Sequence, residues 1–364
     1  MSSKREDEKL AFLQAQGLGE ARRQPLSGDA STRAYERLWP AEGPSLILMD
    51  QPPALETRPC PPLASPAERE ALGYNALARL AAGRVDAFVA VADWLVAQGL
   101  SAPRVIAADA GLGLAVLSDL GDDLFANLIA SGTDERLLYM AAIDGLVVLH
   151  ETLPPTELPT RDGGAWPLLD YDQVALKVAS DLLVEWLPKL IPELTFSPGD
   201  VMVWDELWAP ILKVGVAGAT VFCHRDYHAE NLIWLPDRQG AARVGLLDFQ
   251  DAVRAHPAWD LSMLLHDARR QVSPELETLA LDHYFAARPQ LDRGAFMIDF
   301  HRLGALNICR ILGIFARLVT RDGKPRYRAF MPRLWEYLDR CLADPALGDL
   351  RAWFDRHVPM RARH

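Results

Sequence analysis

The chain has 364 residues, of which 50% are apolar and 24% charged, a composition typical of a globular protein with room for two lobes. Its formal net charge of −11 argues against a nucleic-acid partner, because phosphate backbones attract basic surfaces. No apolar run approaches the roughly 18 uninterrupted residues of a membrane span, and the four cysteines show no CxxC spacing, so we expect a cytoplasmic protein with reduced thiols and no membrane partner.

The first 120 residues predict a small lobe that is mostly antiparallel sheet. Short apolar runs, bounded by turn-forming residues, give this prediction. The predicted elements are a short helix at Leu10–Leu18, a strand, turn and strand over Gln24–Trp39, strands at Ser45–Met49, Val105–Ala108 and Leu114–Leu117, and a helix at Ala87–Gln98. The paired prolines Pro52 and Pro53 end the third strand, since proline is poorly tolerated inside a sheet.

An insertion at about residues 54–85 interrupts this lobe. It begins with many turn-forming residues, which indicate a loop or linker. A helix start follows at Ser65-Pro66-Ala67-Glu68, because serine can cap a helix, proline suits its first position and glutamate can reach back to the cap. The sequence assigns no role to this segment.

Beyond residue 120 the pattern becomes mainly helical. Periodic apolar stretches predict helices at 123–131, 134–151 and 171–190, and helical patterns resume from Ala258 to the end. Short apolar strands at Val221–Cys223, Leu232–Leu235 and Val244–Leu247 interrupt them. The sequence therefore predicts an α+β, two-lobed, protein-kinase-like fold with an N-terminal lobe at 1–120 and a C-terminal catalytic lobe at 121–364.

One segment carries the chemistry. The residues His224-Arg225-Asp226 with Asn231 fit the kinase catalytic-loop pattern H-R-D-x-x-x-x-N, and short apolar strands flank this segment. Asp248 follows the next strand, where the pattern's metal-binding aspartate belongs. The alternative is that these residues are only a turn, a cap and a strand end.

The residue types suit phosphoryl transfer, which needs positioning and charge neutralisation more than covalent help. Asp226 is the predicted catalytic base that orients an attacking hydroxyl. Asn231 and Asp248 are predicted oxygen ligands for Mg²⁺. A transition-metal cluster of His224, Asp226 and His228 is the weaker interpretation, because further ligands of suitable spacing are missing.

The N-terminal lobe should cover the phosphates of a nucleotide. Gly28, Ser31 and Thr32 lie in the turn between the first two strands, where amides and hydroxyls can face phosphate, although an ordinary hairpin turn explains them equally well. Asp119 lies where the lobes join, so we expect the backbone there to pair with adenine.

The lysine that kinases place in the third strand is absent. Met49 stands at that position, and no lysine occurs between Lys9 and Lys177. Arg33 and Arg37 alternate along one strand face and are the predicted substitutes, because arginine's planar fork suits phosphate. The alternative is that this face points to solvent.

The chain resembles the aminoglycoside phosphotransferase family of kinase-like enzymes, and within it the bacterial kinases that phosphorylate N-acetylmuramate and N-acetylglucosamine at C1. The segments that carry the resemblance are GDASTRAYERL (28–38), LILMDQPP (46–53), HRDYHAENLIWLP (224–236), GLLDFQDA (245–252), WDLSMLLHDARR (259–270) and GIFARLVTRDGK (313–324).

The resemblance implies ATP as donor, Mg²⁺, a cytoplasmic location and a role in recycling cell-wall amino sugars. It implies that Glu230 and Arg310 line the sugar pocket, and that Asp260 is a structural aspartate that holds the catalytic loop. We group His228 with the substrate residues as a hydrogen-bonding loop residue. A solvated or paired helix face is the alternative for Arg310.

Three hypotheses follow for the function. The first is an ATP-dependent kinase of the anomeric hydroxyl of an N-acetylated amino sugar, acting as a monomer on a small-molecule substrate. The second keeps the fold and changes the acceptor to an aminoglycoside, a choline-like or a homoserine-like alcohol. The third is a nucleotide-binding pseudokinase scaffold, which the missing lysine favours and the intact Asp226, Asn231 and Asp248 oppose.

Overall fold

The structure, a computed structural model, describes residues 2–26, 33–52 and 58–363. The helices in chain order are α1 Ser2–Ala15, α2 Pro66–Leu72, α3 Tyr74–Leu77, α4 Val85–Ala97, α5 Phe125–Ala130, α6 Glu135–Glu151, α7 Gln173–Leu190, α8 Pro198–Ala217, α9 Ala258–Leu265, α10 Pro274–Ala287, α11 Arg293–Thr320, α12 Met331–Cys341 and α13 Gly348–His357. The strands are β1 Arg22–Pro25, β2 Ala34–Trp39, β3 Leu46–Asp50, β4 Val105–Asp109, β5 Leu114–Ser118, β6 Glu157–Pro159, β7 Ala165–Pro167, β8 Val221–Cys223, β9 Leu232–Trp234, β10 Val244–Leu246 and β11 Val253–Ala255. Short 3₁₀ helices lie at Gly240–Arg243, Pro325–Phe330, Pro345–Leu347 and Met360–Ala362.

The chain divides into two compact units, and each unit is formed by three separate segments of the sequence. The first, called the sheet unit here, comprises Met1–Ser131, Pro155–Leu168 and Glu230–Ala252. The second, the helical unit, comprises Gly132–Pro154, Leu169–Ala229 and Val253–His364. The catalytic-loop segment therefore contributes residues to both units.

The sheet unit is organised around an antiparallel sheet in the order β1-β2-β3-β5-β4. Alternation along the strands turns one face toward α1, where Phe12 and Leu13 pack on Leu38, Leu48 and Val116. Full burial of such a side chain stabilises the fold by about 1.5–3 kcal/mol. The predicted antiparallel sheet is confirmed.

Helix α1 begins at Ser2, so the predicted start at Leu10 is wrong. Its first turns are polar, which hides them from a search for apolar periodicity, but they bind carboxylates of the sheet. Arg5 Nη2 lies 2.6 Å from Asp50 Oδ1, and Lys9 Nζ lies 2.7 Å from Glu36 Oε1. Ion pairs to the sheet therefore extend the helix toward its N-terminus.

The insertion before α4 contains folded structure. The predicted helix start is confirmed: the Ser65 hydroxyl accepts the Glu68 N–H at 3.3 Å, and the Glu68 carboxylate accepts the Ser65 N–H at 2.8 Å. The buried Arg69 donates to the carbonyls of Ala76 and Leu77 at 3.1 and 2.6 Å, which fixes α2 against α3. Between residue 65 and α4, the segment therefore contains two short helices that Arg69 holds together.

Two hairpins complete the sheet unit: β6 pairs with β7, and β9 pairs with β10. The strand β8 pairs with β11, within the helical unit. Strands of three residues carry too little pattern to specify their partners.

In the helical unit, α7 packs along α11. A Cβ at Gly313 would lie 2.3 Å from the backbone carbonyl carbon of Leu182, so only glycine permits this approach. By length and composition α11 is long and apolar enough to cross a membrane, but most of it is buried in this unit, against α7, α9 and α12. It is a core helix.

Candidate active site

Hydrogen bonds to Asp260, in the first turn of α9, hold the loop that follows β8. The fully buried Asp260 carboxylate accepts the backbone N–H groups of His224 and Arg225 at 2.7 and 2.8 Å and the Cys223 thiol at 3.3 Å. Burial raises the pKa of Asp260, although the neighbouring His224 and these hydrogen bonds oppose the rise. The expectation that Asp260 holds the catalytic loop is confirmed.

Arg225 occupies a strained backbone conformation. Its φ of 79° lies in the left-handed region, which is unfavourable for residues that carry a Cβ. Its guanidinium lies 4.7 Å from the centre of the Tyr171 ring, and that ring meets Trp259 edge to face with centroids 4.7 Å apart. These contacts, with the Asp260 hydrogen bond, hold the strained residue in place.

Asp226 faces a cation. Arg310 Nη2 lies 3.6 Å from Asp226 Oδ1, and Arg310 Nε donates to Asn307 Oδ1 at 2.9 Å. Burial by itself would raise the pKa of Asp226, but the charge of Arg310, with smaller contributions from His228 and Arg225, holds the pKa below its ordinary value. Asp226 is therefore ionised at neutral pH.

The predicted acceptor residues fall in different environments. Arg310 lies beside Asp226, as described above, and its guanidinium is also 5.6 Å from the centre of the Trp259 ring. His228 is buried on the same loop, with Nε2 3.4 Å from Arg269 Nη1. Glu230 is exposed and belongs to the sheet unit. The structure thus brings Arg310 into contact with Asp226.

The β9–β10 hairpin brings the two predicted metal ligands to one end of the sheet unit. Leu232 pairs with Leu246, and the carbonyl of Asn231 accepts the Leu247 N–H at 2.9 Å. Asn231 and Asp248 therefore stand at the same end of this hairpin, one residue apart in register.

Asp248 has a φ of 60° and is bound through one of its two oxygens. Arg33 Nη2 donates to Asp248 Oδ1, and Gln250 Nε2 donates to the same oxygen at 3.2 Å. Arg33 Nη1 also donates to Gln250 Oε1 at 2.7 Å. In the part of the chain that the structure describes, no group donates to Asp248 Oδ2, which suits a carboxylate that takes a cation.

Residues 2–26, 33–52 and 58–363 contain no group of three or more histidine, cysteine, aspartate or glutamate side chains that could together bind a metal ion. A carboxylate and an amide oxygen, Asp248 and Asn231, are nevertheless the hard ligands that Mg²⁺ takes when phosphates supply further oxygens.

Arg37 lies within β2, whereas Arg33 immediately precedes that strand, so the predicted placement of both arginines on one strand is wrong. The Nε of Arg37 is 2.6 Å from Asp119 Oδ2, and its Nη groups lie 2.7 and 2.8 Å from the Asp122 carboxylate. Asp119 also accepts the Ser45 hydroxyl at 2.8 Å. Two carboxylates already neutralise Arg37, whereas Arg33 reaches the loop at Asp248.

The remaining predicted phosphate contacts, Gly28, Ser31 and Thr32, lie outside the described residues. Among the residues that support the site, sequence reasoning identified Asp260 but missed Gln250 and Tyr171. Gln250 stands two positions after Asp248, whereas nothing in the pattern marked Tyr171.

Comparison with known proteins gives one family. Residues 22–296 match the model of the "Phosphotransferase enzyme family". The chain is 68% identical over 363 residues to an N-acetylmuramate/N-acetylglucosamine kinase of Caulobacter vibrioides. This alignment covers 100% of this chain and 99% of that protein.

Solved structures show the same fold at low identity. A choline/ethanolamine kinase family protein of Mesorhizobium loti aligns with a TM-score of 0.55 at 16% identity, covering 97% of this chain and 99% of that one. An ADP-bound aminoglycoside phosphotransferase aligns with a TM-score of 0.53 at 13% identity, covering 91% and 97%. The predicted protein-kinase-like fold is confirmed.

Proposed function

The chain belongs to the phosphotransferase enzyme family, and we propose that it is an ATP-dependent kinase of the anomeric hydroxyl of N-acetylmuramate and N-acetylglucosamine. The observation that carries the proposal is the 68% identity, over the full length of both chains, to a kinase named for these two sugars. The ionised Asp226 and the paired Asn231 and Asp248 supply the groups that such a reaction needs.

In this proposal Asp226 is the catalytic base. The charge of Arg310 favours its carboxylate form, so it can orient the C1 hydroxyl and accept its proton as the oxygen attacks the γ-phosphorus. A carboxylate with a lowered pKa is a weak base, which suits a loose transition state where positioning matters more than early proton removal.

Asn231 and Asp248 would hold the magnesium ion. Magnesium supplies charge neutralisation on the transferring phosphates when it is bound. The chain's own contribution is to fix these two oxygen ligands at one end of the β9–β10 hairpin, and to orient Asp248 through Arg33 and Gln250.

Arg33 takes the place of the strand lysine on the phosphates. Its guanidinium donates to Asp248, and Gly28, Ser31 and Thr32 precede Arg33 in the sequence as the proposed phosphate-covering loop. Arg37 is the weaker substitute, because Asp119 and Asp122 already bind it. The backbone near Asp119 is the proposed partner of adenine.

The sugar is recognised through Arg310, His228 and Glu230. Arg310 stands beside the base and can donate to an oxygen of the acceptor, and His228 lies two residues further along the loop. The enzyme would act as a cytoplasmic monomer that returns cell-wall amino sugars to metabolism.

The acceptor is tested directly. The protein is incubated with ATP, Mg²⁺ and N-acetylglucosamine, N-acetylmuramate, an aminoglycoside, choline or homoserine, and the phosphate is located by phosphorus–proton coupling in NMR spectra. We expect a C1 phosphate, loss of the reducing end and no reaction of the 1-O-methyl glycoside. A product phosphorylated at another hydroxyl, or turnover of only another alcohol, would contradict the proposal.

A further inference from the structure

The insertion between β3 and α4 ends in a turn with an unusual backbone. Arg79 and Ala82 have φ values of 55° and 53°, and Gly83 has a φ of 72°. Left-handed residues that carry a Cβ persist only where surrounding contacts fix them, and they are common at functional sites. Residues 79–84, called the anchor turn here, are therefore held by something outside themselves.

The contact lies on the loop that carries Asp248. The Ala81 N–H donates to Asp251 Oδ1 at 2.6 Å, and Gln250 Nε2 contacts Asp251 Oδ2 at 3.3 Å. The same Gln250 nitrogen donates to Asp248 at 3.2 Å. A chain of hydrogen bonds thus leads from the anchor turn to Asp248.

A second contact holds the same loop from α4. The Phe249 ring, which is fully buried, packs on Phe88 with ring centroids 4.8 Å apart. Residues 248–251, called the metal loop here, are thus fixed by an N–H of the anchor turn and by an aromatic side chain of α4.

A cavity of about 440 Å³ lies beside these contacts. Met49 of β3, Phe88 of α4, Arg84 of the anchor turn, and Gln250 and Asp251 of the metal loop contribute to its wall. In kinases a lysine of this strand pairs with a glutamate of the following helix. Here Met49 and Phe88 of α4 line the cavity, and Met49 stands where that lysine would be, so this ion pair is absent beside the metal loop.

We propose that Asp251 is a positioning residue that ties the metal loop to the anchor turn. The insertion thereby acquires a role: it presents the Ala81 N–H at the point where Asp251 needs a donor. The inference rests on the proposed function, in that it takes Asp248 as a magnesium ligand.

The test measures how much Mg²⁺ strengthens ADP binding, by titration calorimetry of the full chain with and without the metal. Groups that orient metal ligands typically contribute about 10- to 100-fold to metal affinity or activity, so we expect a loss of that size for Asp251→Ala. Asp251→Asn keeps an oxygen that can accept the Ala81 N–H and should retain most of the magnesium effect.

Glu68→Ala is the matched control, because it breaks the cap of α2 in the same insertion without touching the metal loop. It should bind Mg·ADP like the parent. The proposal is overturned if Asp251→Ala keeps the full magnesium effect, or if Glu68→Ala loses as much of it.

This measurement does not depend on the acceptor. If no amino sugar is phosphorylated but Asp251→Ala weakens the magnesium effect, the acceptor assignment fails and the positioning role stands. If Asp248→Ala leaves the magnesium effect intact, the metal assignment fails, and the role of Asp251 fails with it.

Discussion

Replacing Arg33 with alanine should weaken the use of ATP far more than replacing Arg37. The two arginines lie four residues apart, Arg33 just before β2 and Arg37 within it, and carry the same charge, which makes them a matched pair. Arg33 reaches Asp248 and Gln250, whereas Arg37 is bound between Asp119 and Asp122.

The size of the effect follows from the kind of contact. A hydrogen bond to a charged group contributes about 1.5–3 kcal/mol. Because each 1.4 kcal/mol corresponds to about tenfold, removing one such contact from the phosphates should raise the KM for ATP by about 10- to 150-fold. A partly exposed ion pair such as that of Arg37 with Asp122 contributes about 0–1 kcal/mol, so Arg37→Ala should change KM by less than about sixfold.

The assay is steady-state kinetics at saturating sugar and magnesium, with ATP varied. Saturating magnesium separates the phosphate contact from the effect of Arg33 on Asp248. Equal KM values for parent and Arg33→Ala, or a larger rise for Arg37→Ala, would refute the assignment of Arg33 as the substitute for lysine.

Three further predictions concern the rest of the site. Asp248→Ala should raise the magnesium concentration needed for half-maximal activity by about 10-fold or more, measured by titration at fixed ATP. Arg310→Met removes the charge that holds the pKa of Asp226 down, so the acid limb of the kcat profile should move to higher pH, while Arg310→Lys should stay near the parent. Asp260→Asn leaves one buried N–H without an acceptor and should lower the free energy of unfolding in urea by about 1–3 kcal/mol. The exposed Asp93→Asn control should cost less than about 1 kcal/mol.

Each of these has a contrary outcome. Activity of Asp248→Ala at parental magnesium concentrations would remove it from the metal site. The sign of the pH effect is fixed, because activity is lost as pH falls through the pKa of Asp226; an unmoved acid limb in Arg310→Met would show that another group sets it. Parental stability of Asp260→Asn would mean that its hydrogen bonds do not support the loop.

The chemistry of the site could be predicted because phosphoryl transfer restricts residue types and spacing. Asp226, Asn231 and Asp248 follow a short motif whose members are close in sequence. The contact of Arg33 with Asp248 could not be derived in this way, since the two residues are separated by 215 positions and no local pattern links them.

Secondary structure was predictable where one face of an element is apolar. Helix α8 escaped prediction because apolar residues also lie off its buried face: Trp204 and Trp208 are buried, whereas Met202 and Val203 are exposed. Its serine cap and first-turn proline, at Ser197 and Pro198, were the local signals available. Tertiary packing of the tryptophans determines this helix.

The division of the chain into two compact units was the feature that the sequence predicted least well. A boundary at residue 120 remains a prediction, while compactness groups the β9–β10 hairpin with the N-terminal sheet. Long-range bridges explain this grouping: Gly245 pairs with Ser101, and Ile233 pairs with Leu124. Such pairings depend on tertiary contacts that periodicity does not encode.

The central claim is that Asp226 is the base of a phosphotransferase, and one measurement tests it most directly. Asp226→Asn keeps the shape of the side chain and removes the proton acceptor. We expect sugar-dependent turnover of ATP to fall by about 10²- to 10⁴-fold, with ADP binding by calorimetry unchanged as evidence that the fold is intact. Near-parental turnover in this variant would contradict the account.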